Sequence, residues 1–137
     1  MSARELLQWR LHRHGIAAPR LEHAAEVVAW MGAMQAQDYY GSLWAVGLRM
    51  RDAVEADIER AIADRSLIRT WPMRGTLHLV AASDVRWMLQ LTAVRTISGN
   101  ANRLARDYGL DNAVLKRCRK IVEKTLRDGA VLRGDLY

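Results

Sequence analysis

This chain is short of cysteine and of long apolar runs, and each shortage removes a class of protein. The single cysteine, Cys118, cannot form an intramolecular disulfide. No stretch approaches the roughly 18 apolar residues of a membrane helix. The opening Met1-Ser2-Ala3-Arg4-Glu5 turns polar at once instead of entering a secretory segment. A cytosolic location is the default, with no membrane partner. Phosphate-cradling glycine loops and the Gly-x-Ser-x-Gly nucleophile elbow are also missing. His12, His14 and His23 have no ligand-like spacing to a carboxylate or thiol, so no metal site is expected.

What is present is a chain of 137 residues, 50% hydrophobic, enough for one buried core. Lys+Arg number 21 against 15 Asp+Glu, for a net charge of +6, and arginine far outnumbers lysine. Guanidinium groups hold phosphates bidentately, so this surplus suits a polyanionic partner. An ordinary basic surface is the alternative.

Gln35-Ala36-Gln37-Asp38 carries the sharpest geometric signal. Within a helix, residues i and i+2 point about 200° apart. In an extended or helix-terminal segment they point the same way, and two amides can then converge on one ligand. The alternative is a pair of ordinary surface glutamines.

Ser2-x-x-Glu5 reads as a capping box opening a helix through Leu6, Leu7, Trp9 and Leu11 to about His14, closed by Gly15. A second helix is predicted from about Leu21 to Met34, which leaves the glutamines at its terminus. Residues 38–51 are open between a loop with a short strand and a further helix. A third helix is predicted over Val54–Asp64. Strand periodicity follows in Leu67–Trp71 and Leu77–Val80, around Pro72-Met73-Arg74-Gly75-Thr76. Three helices and a β-hairpin give a mainly α fold with a small wing, a winged helix-turn-helix. Ser83 can cap a helix from Asp84 to about Thr96, and another runs from about Leu110 to Arg127. The expected division is a winged-helix domain over 1–98, then linking helices and the start of a second such unit over 99–137. The final Val131–Tyr137 segment reads as cut off. Val114, Ile121, Val122 and Thr125 around Cys118 suggest a core thiol.

Met34-Gln35-Ala36-Gln37-Asp38, together with Leu67-Ile68-Arg69-Thr70-Trp71-Pro72-Met73-Arg74-Gly75-Thr76-Leu77-His78-Leu79-Val80 and Asp84, resembles the winged-helix DNA-binding family that contains the bacterial DNA glycosylases AlkZ and YcaQ. Family members are usually longer, with tandem winged-helix units, so the chain looks like an N-terminal portion. Gln35-Ala36-Gln37 fits the branch with a glutamine–apolar–glutamine motif. The resemblance implies a monofunctional glycosylase acting on alkylated purines in double-stranded DNA, in some members unhooking interstrand crosslinks, without metal or cofactor. It also implies a bacterial, cytoplasmic protein working at the nucleoid. Oligomeric state is left open. A non-catalytic DNA-binding regulator that keeps the fold is the rival.

Such a substrate makes the residue types intelligible. A neutral amide is a poor base, but a purine alkylated at N7 or N3 is already cationic and departs readily. The site then has to orient water and place negative dipole near a sugar of oxocarbenium character, for which Gln35 and Gln37 suffice. Asp38 reads equally as a base or as a helix-end residue. Candidate DNA contacts are Arg69 and Arg74 at the wing turn, with Tyr39 and Tyr40 supporting an opened nucleotide. His78 is open between a DNA contact and a satisfied structural histidine. Trp9, Trp30, Trp71 and Trp87 lie in apolar patterns that suggest core. Lys116, Lys120 and Lys124 form a stripe that reads as a solvated face.

Overall fold

In the computed structural model, which describes residues 1–73 and 75–136, the first helix opens as its capping box dictates. Ser2 Oγ accepts from the Glu5 N–H at 3.2 Å, and Glu5 Oε2 accepts from the Ser2 N–H at 2.6 Å. Two orphan donors are thereby satisfied at the start of α1, Ala3–Arg13. The chain leaves it through Gly15, whose φ of +69° is a left-handed conformation favouring glycine. The chain divides into two compact units, Met1–Val94, which includes α1, and Arg95–Tyr137.

The first unit is built on α2 (Ala24–Met31), β1 (Met34–Gln35), α3 (Tyr39–Gly47), α4 (Glu55–Ala63), β2 (Leu67–Met73) and β3 (Thr76–Ala81). That is a winged-helix succession, with β1 added to the predicted hairpin. Residues 39–47 resolve the open stretch as helix, so the three helices of the fold are α2, α3 and α4, and α1 precedes them. The sheet is antiparallel in the order β1-β3-β2. Met34 pairs with Leu79 and Gln35 with His78, while Arg69 and Thr70 face the same two residues from β2. A register shift between Thr70 and Met73 carries β2 toward the turn.

One sheet face packs on the helices. Val27 and Val28 of α2, Leu43 and Val46 of α3, and Ile58 of α4 meet Leu67 and Leu79 in a cluster that also holds Met34 and Ala36. Burying each large aliphatic side chain there contributes about 1.5–3 kcal/mol. On the other face Val80, Pro72 and Met88 are buried outside that cluster. There Thr92 Oγ1 donates to the Pro72 carbonyl, which seats the first turns of α5 (Val85–Tyr108) over the hairpin.

α5 runs well beyond the predicted end at Thr96, because nothing in Ser98-Gly99-Asn100 outweighs its hydrogen-bonded ladder. Asp84, not Ser83, stands immediately before it, accepting from the Met88 N–H through its carbonyl and from Trp87 Nε1 through its carboxylate. In the second unit Asp111 caps α6 (Asn112–Thr125) by accepting from the Val114 N–H at 2.8 Å.

Two core assignments are corrected. Cys118 is exposed, since no residue of α6 is buried among those described: the helix is amphipathic, but no described element covers its apolar face. Trp9, Trp30, Trp71 and Trp87 are each at least half exposed. An apolar pattern along the chain identifies a face without establishing that another element packs on it, and Trp71 lies on an edge strand beside the register shift. No described helix is long and apolar enough to cross a membrane.

Candidate functional site

The glutamines do not end a helix. α2 stops at Met31, Gly32 follows with φ +80°, and the chain then extends. Across Met34, Gln35, Ala36 and Gln37 burial alternates with the period of a strand. Met34 and Ala36 are 7% and 0% exposed in the core, and both glutamines are exposed. The core therefore fixes the register, and the i, i+2 pair is left on the outward side.

The ladder between this segment and β3 is interrupted at the site. Ala36 donates its N–H to the Leu77 carbonyl at 2.8 Å, but the return bond of a regular antiparallel pair is replaced. The Leu77 N–H goes instead to Gln37 Oε1 at 2.9 Å. The Ala36 carbonyl is taken by Arg69, which donates to it from Nη2 at 2.8 Å and Nε at 3.1 Å. An N–H donor requires the amide oxygen, so Gln37 directs its NH₂ away from Leu77. The Gln35 side chain has no hydrogen-bond partner among the described residues. The two amides thus differ: one is tethered through oxygen and the other is free.

Arg69 reaches Ala36 from the face that carries Met34 and Leu79, opposite Gln35. Its guanidinium carbon lies 5.6 Å from the centre of the Tyr39 ring, a cation–π geometry, and Tyr39 meets Tyr40 edge-on at 5.4 Å. The Tyr39 hydroxyl donates to Glu59 Oε1 at 3.4 Å. Burial first, and then the Glu59 carboxylate, push the Tyr39 phenol above its ordinary value, so the ring stays neutral. Tyr40 is 69% exposed.

Asp38 precedes the first turn of α3 without a side-chain cap bond, and its carbonyl accepts from the Ser42 N–H. A Cβ on Gly41 would stand 2.5 Å from Asp38 Oδ2, so Gly41 provides the room in which this carboxylate lies. Gly41 and Glu59 were not singled out from sequence. A glycine interrupting the apolar start of a helix is the one available signal for the first, and nothing local marks the second. His78 is 7% exposed, with Nδ1 at 2.9 Å from the Thr76 carbonyl, a bond that requires the Nδ1–H tautomer. It pairs with Gln35 across the sheet, so the two side chains share one face. Arg74 lies outside the described residues. No group of three or more metal-ligating side chains occurs among those described.

What these groups can do is hold a polar ligand between two amides of unlike orientation at the edge of a rigid sheet. A family model for AlkZ-like DNA glycosylases matches residues 28–136. An interstrand DNA cross-link repair glycosylase of Streptomyces sahachiroi is 35% identical over 92 residues, 67% of this chain and 25% of that protein. The solved structure of the Streptomyces sahachiroi DNA glycosylase AlkZ superposes with a TM-score of 0.72 at 27% identity, covering 99% of this chain and 36% of that one. The chain spans about a quarter of the curated relative's length.

Proposed function

Because this chain belongs to the AlkZ-like DNA glycosylase family, we propose that it carries the catalytic glutamine pair of an enzyme that excises cationic alkylated purines from duplex DNA. The observation that carries the proposal is the alternation of exposed Gln35 and Gln37 with buried Met34 and Ala36. It turns two amides outward from one rigid segment, with no reorganisation needed when charge develops.

The roles follow from the bonding. Gln35 is free to accept from the attacking water and to direct its oxygen dipole at the developing oxocarbenium. Gln37 has one oxygen lone pair on Leu77, so it offers its NH₂ to a phosphate or base edge and its remaining lone pair to the water. The N–C1′ bond breaks as the neutral purine leaves, water adds at C1′, and the released proton passes to solvent or to Asp38. A cationic purine departs without covalent activation, so we assign direct hydrolysis without a Schiff base. We assign Tyr39, Tyr40 and Arg74 as DNA contacts, Arg69 as the residue that positions the glutamine segment through Ala36, and His78 as the cross-strand neighbour of Gln35. The similarity to the interstrand cross-link repair glycosylase of Streptomyces sahachiroi extends the proposal to the unhooking of interstrand crosslinks.

The test is single-turnover excision by the full-length protein from duplex DNA carrying N7-methylguanine or uracil. Release of the first and not of the second is expected. Equal rates on both would transfer the chemistry to a group that can protonate a neutral leaving base.

A further inference from the structure

We propose that the cavity between the end of α1 and the ends of α2 and α3 is a phosphate-binding site. It has a volume of about 360 Å³ and is lined by His12, Arg13, Gly15, Arg20, Trp30 and Arg49, among others. Three arginines line this space, and no carboxylate does. The ion pairs among the described residues engage Arg51, Arg60, Arg106 and Arg119, so none of the three cavity arginines is neutralised by an acid.

Arg49 is the anchored member. Its Nη1 donates to the Ala45 carbonyl at 2.6 Å, while its Nε is buried with no partner. Burial pushes the guanidinium below its ordinary value, as expected of a charge withdrawn from water without a counter-charge. Arg13 lies over the Trp9 ring at 5.5 Å, which leaves its donors available. The wall is built as well: a Cβ on Gly15 would stand 3.3 Å from Trp30 Cζ3, so the loop backbone is pressed against the indole.

Three uncompensated cations around one concavity repel one another and focus positive potential within it. A phosphate relieves that repulsion, and its oxygens match the paired N–H donors of guanidinium. The cavity exceeds what a phosphate fills, so a nucleoside attached to it has room against the apolar face of Trp30. Two sources share this chemistry, a phosphodiester of bound DNA and the phosphate of a free nucleotide. Neither depends on excision at the glutamines.

The experiment uses the full-length protein. Inorganic phosphate and adenosine monophosphate are titrated calorimetrically at low salt into wild type, Arg13→Gln and Arg20→Gln. Both substituted residues are exposed, and folding is checked by circular dichroism. Saturable binding weakened about tenfold or more by either substitution is expected, in line with loss of a charge-assisted hydrogen bond. Binding to undamaged duplex is then measured across salt concentrations. A slope of log K reduced by about 0.9 per lost contact assigns the site to DNA phosphates, and an unchanged slope beside weakened phosphate binding assigns it to a free nucleotide. No saturable phosphate binding together with an unchanged slope overturns the proposal. So does phosphate binding that both variants retain in full.

Discussion

The Gln37 side chain occupies a backbone position: its Oε1 accepts the Leu77 N–H at 2.9 Å, where a regular antiparallel ladder would present the Ala36 carbonyl. The two glutamines are therefore separable by stability. Gln37→Ala should lower the unfolding free energy by about 0.5–1.5 kcal/mol, the usual net worth of such a bond. Gln35→Ala, which removes no hydrogen bond among the described residues, should lie within about 0.5 kcal/mol of wild type. Denaturant midpoints of the two variants check this, and equal midpoints would show that the tether carries no weight.

Arg69 displaced the backbone bond by taking the Ala36 carbonyl with two donors. Arg69→Lys keeps the charge but loses the fork. If the guanidinium positions the glutamine segment, the single-turnover rate should fall about tenfold or more, with duplex affinity and its salt slope unchanged. A flattened slope with an intact rate constant would assign Arg69 to a DNA phosphate instead.

Gly41 offers a way to separate the two readings of Asp38. Gly41→Ala should raise stability by about 0.5–1 kcal/mol through helix propensity. The new Cβ, however, would collide with Asp38 Oδ2 at 2.5 Å and turn the carboxylate away. A stable variant with reduced excision would make Asp38 the proton acceptor. A stable variant with wild-type excision would leave it a helix-end residue.

The Tyr39 phenol carries a pH signature. Its value is raised in the folded protein above the ordinary 10.0, by burial and then by Glu59, so folding favours the neutral ring. Its contribution to stability is fully present below pH 10.0 and is lost as pH rises through the higher folded value. Thermal unfolding followed from pH 8 to 11 should decline less steeply at the alkaline end in Tyr39→Phe. Parallel curves for the two proteins would show that the phenol does not titrate on folding.

How much of this was legible in the sequence depends on the range of each interaction. The capping box of Ser2 and Glu5, the hairpin strands and α4 are local patterns, and they appear where periodicity and capping place them. The resemblance through Gln35-Ala36-Gln37 and Leu67–Val80 led to the family. Local pattern failed where the deciding partner is distant. β1 is only two residues long and exists because Leu79 and His78 pair with it. The grip of Arg69 on Ala36 spans 33 positions, and the tether of Gln37 to Leu77 spans 40. Cys118 and the tryptophans show the converse, apolar faces that no described element covers.

The central claim is that Gln35 and Gln37 carry the chemistry, and the Gln35→Ala/Gln37→Ala double variant of the full-length protein tests it most directly. Its single-turnover rate on duplex DNA containing N7-methylguanine should fall by on the order of 10²-fold or more, with affinity for that duplex nearly unchanged. A wild-type rate in the folded double variant would contradict the claim and place the reacting groups elsewhere.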